Sequence, residues 1–491
     1  MLKAIKVLFV AAELSPLAKV GGLADVVGAL PKSLYDLGVD VRIVIPKYGI
    51  IDEKKYSLKK IVSDINLPFQ GKTEKISVYS SYLPGSQVTI YFINHDGYLG
   101  HNGIYFQNDA SSVGTNREAE RFIFFSRSSL EFFKKLDWQP DIIHCHDWHV
   151  GMTPVLLKIL GKNQAELKKI KTLLTIHNLE YQGRYNAMEI FKMLGLKQND
   201  WPTLSEQRHG DIISLQQAIL TSDHLNTVSP AYAREILTPE YNAGLANSLT
   251  KRKNDLTGIL NGIDVEKFNP ATDPDIISKY TPTDISGKEK CKIDLQKNCG
   301  FSVGSSIPIL AVVSRLAEQK GIELFTATVD ALVKKDVQIV ILGTGLAQLE
   351  QEIKRLSLKY PDKFYGKLAF DAHFAQKVYA GSDIFLMPSK FEPCGLGQMI
   401  AMRYGTVPVV RSTGGLKDTV KDYSAATHQG TGFVFAGYTS QELLAAIERA
   451  LDLYQEPKKW HTIISRIMHE DFSWHSSAEQ YLRLYQKLLE K

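Results

Sequence analysis

The sequence predicts an α/β chain built as two Rossmann-like, parallel-sheet domains facing a cleft. Three observations lead there. At 491 residues the chain exceeds what a single hydrophobic core serves. Its strand candidates are unbroken apolar runs, the mark of parallel strands covered on both faces. A strand–loop–helix–strand grammar opens the chain and starts again near Pro308.

The first half reads in order. "IKVLFVAA" is a buried strand. "VGGLADVVGALPKSLYDLG" is a helix, because Leu23, Val26, Val27, Leu30, Leu34 and Leu37 fall on one stripe and Gly38 sits where a helix stops. "VDVRIVIP" completes a βαβ unit, and "VTIYFIN", "DIIHCHDW" and "KTLLTIH" are further strands. A polar stretch bearing Pro270, Pro274 and Pro282 runs from Asn261 to Ser306 and separates the halves. The domain boundary is placed at its start, giving domains of residues 1–260 and 261–471. The second half has "IPILAVVSR" as strand, "GIELFTATVDALVKK" as helix and "VQIVILG" as strand. "LAQLEQEIKRLSLKY" and "AQKVYAGS" are helices, followed by the strand "DIFLMPS", the helix "GLGQMIAMRYG" and the strand "TVPVVRS". The chain ends in the helical segments "QELLAAIERALDLYQ" and "SWHSSAEQYLRLYQKLLEK".

Composition excludes several classes. With 44% hydrophobic and 23% charged residues the chain is an ordinary globular one. A net charge of +5 over this length is too slight for a nucleic-acid footprint. Cys145, Cys291, Cys299 and Cys394 have no framework spacing, so reduced thiols in a cytoplasmic protein are expected. The opening apolar run is short and broken by Glu13, so it reads as a first strand and not as a signal peptide. No stretch approaches the ~20 apolar residues of a bilayer span. Neither a membrane nor a nucleic acid is expected as a partner, and the oligomeric state is left open.

Open parallel sheets bind ligands beyond the carboxyl ends of their strands, so the loops after strands hold the site candidates. In "ELSPLAKVGGLADVV", Gly21 and Gly22 open a helix whose N–H groups can face an anion, and Lys19 adds a point charge suited to phosphate. A plain turn with a surface lysine is the other reading. In "VVSRLAEQKGIELF", Arg315 and Lys320 stand at a helix start, where two cations oppose the macrodipole unless an anion joins them. An arginine fork and a lysine charge would hold a diphosphate, although solvated charges on a turn remain open. In "SKFEPCGLGQMIAMRYG", Glu392 can accept from vicinal sugar hydroxyls, while Gly395 and Gly397 permit close backbone approach. Gly414 and Gly415 repeat the anion-cradle design. "IIHCHDWHVG" looks metal-binding, but on a strand His144 and His146 face one side and Cys145 the other, and no zinc spacing is present. No metal is expected there. Asp147, and His177 with Asn178 after "KTLLTI", read as polar lining. Asp273-Pro274-Asp275 reads as a turn, not as a metal-holding pair.

"KVGGLADVVGALPK", "HCHDWH", "TIHNLEYQG", "LNGID", "SRLAEQKG", "FEPCGLGQMIAMRYG" and "TGGLKDTV" occur in this order across nearly the whole chain. In this the sequence resembles the bacterial glycogen synthases and plant starch synthases. The resemblance implies a fold of GT-B type and a retaining α-1,4-glucosyltransferase. ADP-glucose would be its donor substrate and an α-1,4-glucan its acceptor, with neither cofactor nor metal. It implies that residues 1–260 serve the acceptor, that residues 261–471 bind the nucleotide sugar, and that a last helix near 472–491 packs back on the first domain.

The residue roles implied are equally specific. Lys19, Gly21 and Gly22 would meet the donor phosphates. Arg315 and Lys320 would bind the distal phosphate and stabilise departing ADP. Glu392 would hold sugar hydroxyls, with the Cys394-Gly395-Leu396 backbone at the same ring. His177 would sit beside the reacting carbon, Glu13 and Asp147 on the acceptor side, and Asn261 against the glucosyl group. Thr413, Gly414, Gly415 and Phe370, the last as a shelf for adenine, complete the substrate-binding set. Two departures stand out: Gly397 replaces the usual threonine, and Phe370 keeps the expected ring without a hydroxyl. With no evident nucleophile, retention implies front-face attack through an oxocarbenium-like state. Cys394 has no adjacent base and reads as a packed thiol lending its backbone. A UDP-glucose-dependent transferase with another acceptor and a non-catalytic glucan-binding protein are the alternatives. A phosphorylase lacks a lysine context for pyridoxal phosphate.

Overall fold

The computed structural model of the protein describes residues 4–106, 116–201 and 210–490. It divides into two compact units. One comprises Met1–Val228, Ala233–Ile259 and Trp474–Lys491; the other comprises Ser229–Tyr232 and Leu260–Ser473.

The first unit holds β1 (Lys6–Val10), β2 (Asp40–Pro46), β3 (Lys59–Phe69), β4 (Lys72–Tyr82), β5 (Thr89–Asn94), β6 (Ile142–His146), β7 (Lys171–Ile176), β8 (Arg184–Asn186), β9 (Asp211–Ile213), β10 (His224–Thr227) and β11 (Leu256–Gly258). Nine of these form one sheet in the order β11-β10-β7-β6-β1-β2-β5-β4-β3, and β8 pairs with β9 separately. The central strand β1 pairs in parallel with β2 and with β6, and Val7–Val10 are wholly buried, as an unbroken apolar run requires. The sheet is parallel through its centre, as expected, and antiparallel at one edge. β3 and β4 form an antiparallel hairpin that joins β5, turning at Gln70 and Gly71, which both have positive φ. That turn geometry matches the right-handed twist of the two strands it joins.

Helix Gly22–Asp36 buries Leu23, Val26, Val27, Leu30 and Leu34. These side chains share one core cluster with Trp474, Tyr481 and Tyr485 of the last helix, Trp474–Glu490.

The second unit holds β12 (Ile309–Val313), β13 (Gln338–Leu342), β14 (Phe364–Lys367), β15 (Ile384–Met387), β16 (Val407–Arg411) and β17 (Phe433–Phe435). They form a six-stranded, fully parallel sheet in the order β14-β13-β12-β15-β16-β17. This is the doubly wound order, with chain progression reversing between β12 and β15. The first unit reverses likewise between β1 and β6. A crevice forms at such a switch point, because the two connections leave on opposite faces of the sheet.

Three helical readings change. "GIELFTATVDALVKK" is two short helices, Ile322–Thr326 and Val329–Leu332. The Thr328 hydroxyl donates to the Phe325 carbonyl at 2.7 Å, and this local bond competes with the helix ladder. Pro457–Met468 is a further helix before the last one. The polar stretch between the halves contains helix Ser286–Asn298, whose buried face carries lysines. Lys288 Nζ donates to the carbonyls of Ala380 and Tyr404 and to Thr406 Oγ1, capping the C-terminal ends of helices Ala372–Gly381 and Gly397–Arg403. Lys292 pairs with buried Asp383 at 2.8 Å.

Candidate active site

Each unit carries one cluster of the candidate residues, at its own switch point. In the first unit the chain leaves β1 and folds back, with Leu14 and Ala18 bridged antiparallel, before helix Gly22–Asp36 begins. Glu13, only 4% exposed, turns into that bend. Its Oε2 accepts the N–H groups of Val20 and Gly21 at 2.8 Å each, and its Oε1 accepts the Tyr105 hydroxyl at 2.6 Å. The anion faced by the Gly21 N–H is therefore Glu13's own carboxylate, a correction to the open cradle read from the glycines. A side chain at Gly21 or Gly22 would meet nothing within 4 Å, so tight packing is not why glycines stand there. Lys19 reaches both oxygens of Asp25, at 2.6 and 2.8 Å, on the surface. Such a pair is worth little and exchanges readily.

After β6, Asp147 adopts φ 59° and its Oδ1 accepts the His177 backbone N–H at 2.7 Å. Burial raises its carboxyl to about 7, with the nearby Glu13 charge adding to the rise, against the opposing pull of backbone N–H groups of His177 and Asn178. His146 Nδ1 lies 3.0 Å from His177 Nε2. Burial lowers His177 and His149 to about 3 and holds His144 and His146 well below the usual histidine range, so all four are neutral at pH 7. His144 and His146 lie on one face of β6, ring centroids 4.2 Å apart and both against Phe9. His144 bonds the Tyr485 hydroxyl at 2.9 Å and Thr175 Oγ1 at 2.6 Å. Among the described residues no group of three His, Cys, Asp or Glu side chains could hold a metal ion.

In the second unit the loop after β12 carries Arg315 and Lys320, and the loop after the neighbouring strand β15 carries Glu392–Gly397. Lys320 Nζ donates to Glu392 Oε2 at 2.6 Å, and the Ser389 hydroxyl donates to the same oxygen at 3.0 Å. Arg315 is exposed and pairs with no described group. Gly321 ends the short turn after Lys320 with φ 64°; a side chain there would strike the Pro388 carbonyl. Gly395 has φ 73°, which glycine alone adopts without cost.

The Gly414–Gly415 pair also needs a correction. Added Cβ atoms would lie 1.9 Å from the Glu392 carbonyl oxygen and 2.0 Å from that of Cys394, and the Gly415 N–H donates to the Glu392 carbonyl at 3.0 Å. The pair is a shelf on which the Glu392 loop rests. Thr413 is buried beside it, and Leu396 precedes helix Gly397–Arg403. The backbone N–H of Asn261 bonds the Cys394 sulfur, while burial pushes that thiol up to about 12, which keeps it protonated at neutral pH. Asn261 Oδ1 is buried with no hydrogen-bond partner among the described residues. Phe370 is 88% exposed, a ring with its face free. Asp273 accepts the Asp275 N–H and the Tyr404 hydroxyl, so that segment is a turn.

Sequence reasoning missed Tyr105, His146 and Ser389 as partners of Glu13, His177 and Glu392. Ser389, three residues before Glu392 in one loop, was within local reach; Tyr105, 92 residues from Glu13, left no local signal.

Residues 6–251 match the family Starch synthase catalytic domain, and residues 304–464 match Glycosyl transferases group 1. The glycogen synthase of Thermotoga maritima is 43% identical over 99% of both chains. That of Moorella thermoacetica is 42% identical over 100% of this chain and 98% of its own. Among solved structures, the catalytic domain of starch synthase IV from Arabidopsis thaliana, bound to ADP and acarbose, superposes with a TM-score of 0.89 at 34% identity, covering 100% of both chains. Sucrose-phosphate synthase from Thermosynechococcus elongatus shares the fold, with a TM-score of 0.60 at 16% identity over 99% of both chains.

Proposed function

The chain belongs to the glycogen and starch synthase family of glycosyltransferases, and from that premise we propose the identity of its substrates and the work of each residue. The donor is ADP-glucose, and the acceptor is the non-reducing end of an α-1,4-glucan. Transfer keeps the anomeric configuration and uses no metal. The starch synthase structure bound to ADP and acarbose supports this choice of partners.

One observation carries the reading. Lys320 and Glu392 are paired at the second unit's switch point, and Arg315, exposed in the same loop as Lys320, pairs with no described group. This is a cation-rich site with an exchangeable contact. On donor binding, Lys320 turns from Glu392 to the distal phosphate and Arg315 forks the same group. Glu392 Oε2 is thereby released to accept sugar hydroxyls. The unpartnered Asn261 Oδ1 accepts another, because a buried acceptor gains most from a new donor. Phe370 offers its free face to the adenine. Lys19 leaves Asp25 for a donor phosphate, and neutral His177 sits beside the reacting carbon. Glu13 and Asp147 serve the acceptor side.

The bond from the anomeric carbon to the phosphate oxygen breaks as the acceptor hydroxyl attacks on the same face, and its proton passes to the departing phosphate. Charge growing on that phosphate is met by Arg315 and Lys320, the work that a divalent ion does elsewhere. Among the described residues no helix is long and apolar enough to cross a membrane.

The test is the purified protein with ADP-glucose or UDP-glucose and a short maltooligosaccharide, with a chelator present, measuring released nucleotide and product length. Stepwise elongation from ADP-glucose is expected. Elongation from UDP-glucose alone, or abolition by the chelator, overturns the proposal.

A further inference from the structure

The protons of the buried histidine network can be assigned by counting donors. Asn226 Nδ2 donates to the carbonyls of Thr227 and Thr257, so its Oδ1 is free to accept, and it does so from the hydroxyls of Thr175 and Tyr481. Thr175 has one hydroxyl hydrogen and it goes to Asn226, so Thr175 Oγ1 accepts from His144 Nε2–H. His144 Nδ1 then carries a lone pair and accepts the Tyr485 hydroxyl.

His146 and His177 share one hydrogen between Nδ1 of the first and Nε2 of the second, 3.0 Å apart. Two arrangements are possible. If His177 donates, the hydrogen of His146 sits on its Nε2. That atom is buried and has no partner among the described residues. An orphaned buried N–H is rarer and costlier than an unmet lone pair. If His146 donates, its Nε2 bears only a lone pair and the cost is avoided. His177 then carries its hydrogen on Nδ1. His177 is partly buried, and no described group bonds its Nδ1, which leaves that atom available to a ligand.

We infer that His146 is a positioning residue that fixes His177 as its Nδ1–H tautomer, presenting a hydrogen-bond donor to a sugar oxygen. This rests on the proposed place of His177 beside the glucosyl group. His177 in this form is neither a general base nor an acceptor for a sugar hydroxyl.

The tautomer is read by NMR of the full-length protein with 15N-labelled histidine, His177 being assigned through His177→Ala. Two-bond couplings that place the His177 proton on Nδ1 are expected; a proton on Nε2 overturns the inference whatever the kinetics. His146→Phe keeps the ring against Phe9 and His144 but removes the donor. It should move the His177 proton to Nε2 and lower kcat roughly 10-fold, with KM for ADP-glucose nearly unchanged. His146→Gln can still donate and should restore both the tautomer and most of kcat. Equal loss in both variants with the tautomer unmoved also overturns it. If His177→Ala is fully active, the role of His177 itself is wrong, and that outcome is separate from the tautomer.

Discussion

Lys320 Nζ lies 2.6 Å from Glu392 Oε2 across the loops that follow two adjacent parallel strands, joining residues 72 apart in the chain. The contact binds together the two loops proposed to hold opposite ends of the donor, the phosphate and the sugar.

Arg315→Ala and Lys320→Ala should each lose about 10²–10³ in kcat, or about 3–4 kcal/mol of stabilisation of the departing diphosphate. Their stabilities should differ. Arg315 is exposed and pairs with no described group, so its removal should leave the unfolding midpoint unchanged. Lys320→Ala leaves the buried Glu392 carboxylate with Ser389 alone and should cost roughly 2–4 kcal/mol in urea unfolding. Wild-type turnover in both variants would remove the phosphate clamp.

Glu13→Ala strands two backbone N–H groups and the Tyr105 hydroxyl. A loss of at least about 2 kcal/mol in stability is expected, together with weaker ADP binding by calorimetry as the loop bearing Lys19 loosens. Glu13→Gln still offers an oxygen to the N–H groups and should fall between. A Glu13→Ala protein as stable as wild type refutes the clamp.

Asp147 sets a pH dependence opposite to that of a salt-bridged carboxylate. Its folded value is raised to about 7, so the folded protein holds a proton that the unfolded chain releases near about 4. Stability from this group is greatest below the unfolded value and drains as pH rises through that window, with a slope approaching about 1.4 kcal/mol per pH unit. Above about pH 7 the loss is complete. Asp147→Asn cannot titrate, so its stability relative to wild type should climb over the same range. A difference between the two that is independent of pH contradicts this.

Gly397 is closely packed, with little room for a side chain. A Cβ at 397 would lie 3.0 Å from the Phe385 ring and 3.5 Å from Met387 Sδ. Gly397→Thr alone should cost about 1–3 kcal/mol through overpacking. Adding Phe385→Leu should recover much of it, so the two changes should be non-additive in a double-mutant cycle. Strict additivity would show that the ring is not what excludes the side chain.

Cys394 should resist alkylation by iodoacetamide in the native protein at pH 8, because burial holds its thiol protonated up to about 12. Cys394→Ala should keep most of its activity, the loop being held through its backbone and the Gly414–Gly415 shelf. Rapid labelling with parallel inactivation argues for a nucleophile instead.

Much of the architecture was legible because it is local. Unbroken apolar runs such as Val7–Val10 and Ile309–Val313 become buried parallel strands wherever both faces are covered, and glycines mark where those strands end. Helix Ser286–Asn298 was illegible because its buried face mixes Lys288, Lys292 and Gln296 with only Cys291 and Leu295, and such a face locally resembles a solvated stretch. The hairpin at Gln70-Gly71 was legible in principle, since its turn lies between strand-like runs, but the polar residues of β3 obscured it.

By itself the sequence determined which loops follow strands, and so which side chains stand at the carboxyl edge of each sheet: Glu13, Asp147 and His177 in one, Arg315, Lys320 and Glu392 in the other. Only the tertiary structure decided whom those side chains meet. Glu13 meets the N–H of Gly21 and the hydroxyl of Tyr105, His146 meets His177, and the Gly414–Gly415 pair meets the Glu392 loop. The reason is that periodicity fixes only the direction of a side chain along its own element. Its partner and its burial depend on strand order, and strand order is settled by packing among residues tens of positions apart.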